Sequence, residues 1–341
     1  MALRRHPRLG RHPRLGSRAL LTTGMAAALA LAGCSSTDDS ASDGSASGSG
    51  AVVEHAFGST EVPEDPQRVV SVGYNDQDTL LALGVVPVGA FDWYGDYPGG
   101  VWPWGQEQLD GEVPTVVGTP AEDIDIETVA SLDPDLIVGT YTGLKEAQYD
   151  QLSSVAATVA QPDDYPEWGI PWDAQTRMIG QAVGETDKAE ELIDGIADKI
   201  AEVKAAHPEF EGKTIAVGAL NGPGEFGIYS PADPKVRFFN QLGFVNPPAT
   251  EEITSNFAPI STEQLSLLDV DVLVWYASAD FEPKLRAELD KTEIYQQLDV
   301  VQDGRAIILA DDAAQAMSWS TVLSLPFALD RIPERIAELL Q

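Results

Sequence analysis

The sequence predicts an α/β fold of two lobes, each with a mostly parallel sheet flanked by helices, joined by a single long backbone helix. Three observations lead there. Before residue 170, short β-branched apolar runs alternate with helical segments of about ten residues, the pattern of βαβ units. From 172 to 207 the apolar spacing turns to sustained helical periodicity. The alternation of strands and helices then restarts and runs to the C-terminus.

In the first lobe, residues 53–170, "RVVSVG" (68–73) reads as a strand. "YNDQDTLLALG" follows as a helix that Asn75 or Asp76 can cap and whose apolar residues are Leu80, Leu81 and Leu83. "VVPVGAF" is a second strand; "VPTVVGTP", the helical "DIETVASLDP" and the strand "DLIVGTY" continue the series. The linking segment, 171–207, holds "WDAQTRMIGQAVG" and then "TDKAEELIDGIADKIAEVKAAHP". There Thr186 caps, and Leu192, Ile193, Ile196, Ile200 and Val203 form one apolar stripe. A helix of about twenty residues spans ~30 Å, enough to cross between domains. In the second lobe, 208–341, "KTIAVGAL", "VLVWYA" and "RAIILAD" read as strands. Helices are expected around "KVRFFNQLG", "STEQLSLLD" and "LPFALDRIPERIAELLQ".

The first 33 residues read as a targeting segment. Six arginines precede "ALLTTGMAAALALAG", an apolar run too short to span a bilayer. It ends at "LAGC", which resembles the lipobox of bacterial lipoproteins, so Cys34 is the expected lipidation site. Cys34 is also the only cysteine, which removes disulfides and cysteine metal sites from consideration. Residues 34–52, rich in Ser, Gly, Asp and Ala, read as a flexible lipid-anchored tether. The expected location is the cell membrane, lipid-anchored on the outer, extracytoplasmic face.

The chain has 21 Lys+Arg and 54 Asp+Glu. Six of those basic residues and no acidic ones precede Cys34, so the remainder carries 15 − 54 = −39. Nucleic acid is excluded as a partner by this field, which also disfavours a strongly anionic ligand.

Three stretches together carry a family resemblance: "GSTEVPEDPQRVVSVGYNDQDTLLALGVVPVGAF", "IDIETVASLDPDLIVGTYTGLKEAQYDQLSSVAATVA" and "SWSTVLSLPFALDRIPERIAELL". In this order, behind a lipobox, they resemble the helical-backbone periplasmic-binding-protein family that serves iron–siderophore, haem and cobalamin ABC importers. The resemblance covers residues 52–341. It implies a ligand cleft between two lobes linked by a rigid helix, and solute capture by a monomer in place of catalysis.

Aromatic residues crowd the segment 91–106, "FDWYGDYPGGVWPWGQ", which follows the second strand. Ligands of open α/β sheets bind beyond the carboxyl ends of strands. Trp93, Tyr94, Trp102 and Trp104 are therefore expected to face the cleft, as large rigid surfaces with a polar handle. Trp168 in "DDYPEWGIPWD" joins them, and the second lobe supplies Tyr229, Tyr276 and Trp319. Trp172 and Trp275 lie inside regular elements and read as core. Arg237 is the basic residue most readily placed at the cleft, with Lys145 and Arg177 as further candidates.

Beyond the lipid signal only His55 and His207 remain, so direct metal ligation is not expected and the chain has no cofactor of its own. Haem would require an axial ligand such as Tyr94, Tyr97 or Met317, and haem or cobalamin stands as the alternative ligand. A ferric siderophore carries its own oxygen donors and asks only for shape, aromatic faces and a few charges. The scarcity of basic residues favours the hydroxamate type over catecholates. A surface hydrolase is the less favoured reading, because no G-x-S-x-G elbow is present and a triad would need His55 or His207. The resemblance also implies a permease dimer as partner, with Glu127 in "DIETVASL" and Glu263 in "STEQLSLL" as docking residues.

Overall fold

The computed structural model describes residues 50–165, 168–250, 253 and 255–341. The targeting segment, Cys34 and the tether through residue 49 lie outside the described residues. The first lobe opens with a hairpin of β1 (Val52–His55) and β2 (Gly58–Glu61). Its elements continue as β3 (Val69–Ser71), α1 (Asp76–Ala82), β4 (Gly89–Ala90), β5 (Thr115–Val116), β6 (Gly118–Thr119) and β7 (Asp123–Ile124). They close with α2 (Ile126–Ser131), β8 (Leu136–Val138), α3 (Glu146–Ser153) and β9 (Ala157–Val159). The central sheet runs β5-β4-β3-β8-β9 with every pair parallel. Val69, Val70, Leu136, Ile137 and Val138 are each 0% exposed. Continuous apolar strands are what a parallel sheet covered on both faces requires.

The linking segment is two helices, α4 (Trp172–Ala182) and α5 (Thr186–Ala206). The chain breaks at Gly184, whose φ of 76° suits glycine, and α5 alone provides the long helix. A Cβ on Gly180 would sit 2.6 Å from the Ala189 Cβ, so the two helices pack at a distance only glycine permits. Thr186, expected to cap, is instead the first helical residue. Glu185 holds the cap position without a side-chain hydrogen bond. Likewise Asn75 precedes α1 without capping it, because its side-chain oxygen accepts from the Gln175 amide instead.

The second lobe contains β10 (Ile215–Gly222), β11 (Glu225–Tyr229), α6 (Pro234–Gln241), β12 (Phe257–Ile260) and β13 (Val272–Tyr276). It continues through α7 (Glu282–Lys291), α8 (Glu293–Gln296), α9 (Asp299–Gln302) and β14 (Ala306–Leu309). The chain ends with α10 (Asp312–Trp319), α11 (Ser324–Leu329) and α12 (Ile332–Ala337). Its sheet order is β12-β11-β10-β13-β14, parallel across β10, β13 and β14 and antiparallel at the β11 and β12 edge. Two expected helices differ. "STEQLSLLD" forms a 3-10 turn, Thr262–Leu268, opened by a Ser261–Gln264 capping box. The C-terminal segment divides into α11 and α12, with Pro333 in the first turn of the latter, where its missing N–H is harmless.

One apolar cluster spans both lobes. Trp102 and Trp104 of the first lobe pack with Ile196 of α5 and with Trp319, Val322 and Leu325 of the second.

Candidate functional site

The segments that follow the parallel strands of the first lobe meet the second lobe across a shared face. Tyr74 follows β3, the aromatic segment 91–106 follows β4, and Tyr141 follows β8. Opposite them stand Tyr229 at the end of β11, Tyr276 at the end of β13, the first turn of α6, and α10. Rings connect across the divide: Trp93 lies edge-on to Trp319 at 4.9 Å, and Tyr94 stacks on Trp319 at 5.5 Å. Tyr74 stacks on Trp93 at 5.2 Å and on Trp168 at 4.6 Å, and Trp168 meets Tyr141 edge-on.

Two cavities flank this aromatic wall. One, of about 270 Å³, is lined by Tyr74, Trp93, Tyr141 and Trp168 from the first lobe and by Asp233, Lys235, Asn256 and Ser318 from the second. The other, of about 410 Å³, lies between Tyr94, Asp96, Tyr97 and Trp102 and the second-lobe residues Asp280, Asp311, Asp312 and Gln315.

The expected site residues take different places. Trp93, Tyr94, Trp168, Tyr229, Arg237 and Tyr276 are half-buried. Trp102 is 5% exposed and still borders the larger cavity, while Trp319 is 3% exposed and central to the ring cluster. Trp104 packs behind them. At 8% exposure it stacks on Trp102 at 5.1 Å, and its indole N–H donates to Asp78 at 2.7 Å, so its polar handle is used inside the protein. Trp275 is fully buried and Trp172 packs at the edge of the core cluster. Met317, considered as an axial haem ligand, is 0% exposed within that cluster, so its sulfur is not accessible to a ligand in the cleft. Arg177 is exposed and tied to Asp173 and Glu190, and Lys145 stands exposed at the start of α3.

Four further residues complete the site without having been evident in the sequence: Tyr74, Tyr141, Lys235 and Gln315. Asp233 caps α6 by accepting from the Lys235 N–H at 2.9 Å, and Pro234 occupies the first turn. That cap fixes Lys235 so that its ammonium returns to Asp233 at 3.0 Å, 4.0 Å above the Tyr229 ring and 5.0 Å from that of Tyr276. Burial is the largest influence and opposes the charge on Lys235, but Asp233 together with Tyr229 and Tyr276 outweighs it and holds the ammonium above its usual pKa. A legible signal existed: Asp-Pro-Lys puts a cation in the first turn of a helix, where the macrodipole disfavours it unless a carboxylate compensates. Burial also pushes the phenols of Tyr141 and Tyr229 up to about 12, so both stay neutral.

Gln315 joins the lobes. Its side-chain oxygen accepts from the Tyr94 hydroxyl at 2.9 Å and from the Tyr276 hydroxyl at 2.7 Å, while its amide donates to the Ala277 carbonyl. Behind the rings lies a second set of polar contacts, of which one crosses between the lobes. Asn75 donates to the Trp319 carbonyl at 2.9 Å. Asp76 accepts from Gln175 at 2.7 Å and from the backbone N–H and hydroxyl of Thr140. Burial raises the pKa of Asp76 against those hydrogen bonds.

Glu127 and Glu263 are exposed, one on each lobe. Neither carboxylate serves as a helix cap. Asp125 accepts from the N–H groups of Glu127 and Thr128, and the Ser261–Gln264 box closes the other turn.

A two-lobed α/β protein with an aromatic face between its lobes is built as a solute-binding protein. Residues 69–313 match the family described as periplasmic binding protein, and the chain belongs to that family. It is similar to a periplasmic solute binding protein from Mycobacterium smegmatis, at 36% identity and a TM-score of 0.77, over 85% of this chain and 99% of that one. It is also similar to PiaA from Streptococcus pneumoniae in complex with ferrichrome, at 25% identity and a TM-score of 0.71, over 85% and 98% of the two chains. The Bacillus subtilis protein named "Probable siderophore-binding lipoprotein YfiY" is 28% identical over 294 residues, 82% of this chain and 86% of the relative.

Proposed function

We propose that the chain is the substrate-binding lipoprotein of an ABC importer, anchored through Cys34 on the outer face of the cell membrane. It captures a ferric siderophore of the hydroxamate type between its lobes as a monomer and presents it to a permease dimer through Glu127 and Glu263. The observation that carries this reading is the aromatic wall that the two lobes build together, with Trp93, Tyr94, Trp168, Tyr229 and Tyr276 half-buried along it and Trp102 and Trp319 behind. Rigid aromatic surfaces contribute contact area at small entropic cost, which suits a bulky, largely apolar complex whose iron is already satisfied by its own oxygens. The names of the relatives, a siderophore-binding lipoprotein and a protein bound to ferrichrome, support the same ligand class.

The test is a titration of intrinsic tryptophan fluorescence with ferrichrome, a ferric catecholate, haem and cobalamin. Saturable quenching by the ferric hydroxamate is expected, since an iron complex placed against the wall lies beside several indoles. Quenching by haem or cobalamin alone would move the protein to another branch of the same family, and a flat response to the whole panel would overturn capture of any such complex.

A further inference from the structure

The smaller cavity between the lobes is rich in hydrogen-bond donors, and its one carboxylate is already engaged. Asp233 accepts from the Lys235 backbone N–H at 2.9 Å and from the Lys235 ammonium at 3.0 and 3.3 Å. The ammonium has three donors. Beyond Asp233 its only other hydrogen-bond partner among the described residues is the Ser318 hydroxyl, at 3.5 Å. Its side chain is 9% exposed, and what remains open faces the cavity that it lines. Tyr141 comes to the same place from the opposite lobe, and Tyr229 lies beneath the ammonium. Neither phenol hydroxyl makes a hydrogen bond to another described residue.

Charge points the same way. Lys235 and Arg237, two residues further along α6, both lie near Tyr141 and share the Asp233 carboxylate. Asp173, which also acts on Arg237, is paired with Arg177, which binds Glu190 as well. Two cations, Lys235 and Arg237, thus stand at this corner of a chain whose overall charge is strongly negative. A buried ion pair is seldom needed for stability, because desolvation offsets most of its attraction. At about 270 Å³ the cavity is smaller than a whole-ligand pocket, and it suits one arm of a larger molecule.

We infer that the Lys235 corner, with Tyr141 and Tyr229, is a subsite for a carboxylate of the ligand. The captured complex is then a hydroxamate siderophore that carries a carboxylate, as citrate-based dihydroxamates do, oriented with that group toward α6. This inference rests on the siderophore reading above. It also reconciles the scarcity of basic residues with a charged ligand, since one carboxylate needs one well-placed ammonium.

The test compares ferric aerobactin, a citrate-based dihydroxamate, with ferrichrome, a neutral trihydroxamate, by fluorescence quenching. The proteins are the unmodified chain, Lys235→Met, and the double variant Asp233→Asn/Lys235→Met. The double variant removes the pair together, so that no unpaired carboxylate is left buried. Ferric aerobactin is expected to bind the unmodified protein more tightly than ferrichrome. In the double variant its affinity should fall ~10- to 100-fold, the scale of a hydrogen bond to a charged group, while that of ferrichrome stays within about threefold. Equal losses for both complexes, no loss for either, or a preference of the unmodified protein for ferrichrome would overturn the carboxylate subsite and leave siderophore capture standing. Failure of the unmodified protein to bind any ferric complex would overturn both.

Discussion

Asp78 of α1 and Thr321, which precedes α11, belong to different lobes and share a hydrogen bond of 2.6 Å, donated by the threonine hydroxyl to Oδ2. The Trp104 indole N–H reaches the same oxygen at 2.7 Å. A single buried carboxylate therefore pins the aromatic segment to the first lobe and the first lobe to the second. With the Asn75 contact to the Trp319 carbonyl, it makes the base of the cleft a fixed joint, above which Tyr94 and Gln315 close the front.

Asp78 makes this joint sensitive to pH. Burial raises its pKa to about 6, against the hydrogen bonds from Thr321 and Trp104 that favour the charged form. The folded state therefore holds its proton more tightly than the unfolded chain. The contribution to stability is complete below pH ~4 and is lost as pH rises through about 6, an effect on the order of 3 kcal/mol. Thermal melts at several pH values should show it as a difference between the unmodified protein and Asp78→Asn. The variant is expected to lose less stability between pH 4 and 6.5, and parallel curves would show that Asp78 does not titrate in this range.

The tryptophans of the segment 91–106 should divide by role. Trp104→Ala removes a buried ring and the donor to Asp78, so unfolding stability is expected to fall by ~3–5 kcal/mol. Trp93→Ala removes a half-buried ring that borders the smaller cavity. Its expected effect is a loss of about 1–3 kcal/mol in ligand binding with a smaller change in stability. Denaturant unfolding together with ligand titration separates the two, and the reverse ordering would exchange the roles assigned here.

Docking is tested by Glu127→Lys with Glu263→Lys. Because Asp125 and the Ser261–Gln264 box already cap the two turns, charge reversal should leave folding and siderophore binding in solution unchanged. Uptake by cells or proteoliposomes is expected to fall, since opposed charges guide encounter and fix register. Undiminished transport by the double variant would remove these glutamates from the docking surface.

The two-lobed α/β architecture was open to reading in the sequence because it rests on local periodicities. Apolar runs such as 69–72 have the composition of a strand covered on both faces, and the stripe from Leu192 to Val203 has the period of a helix. The gathering of aromatics in 91–106 was equally plain as composition. What the rings do was not, since that depends on partners far away in the chain. Trp104 is withdrawn from the cleft by Asp78 and Phe327, and Tyr94 is drawn across it by Gln315, 221 positions later. Nothing in the periodicity of the sequence singles out Lys235, which the fold buries over the rings of Tyr229 and Tyr276 with Tyr141 lining the same cavity. Periodicity is a property of neighbours in sequence and survives without a fold, whereas burial, hydrogen-bond partners and the local sign of charge are sums over neighbours in space. Those sums existed for this chain only once the two lobes had closed on each other.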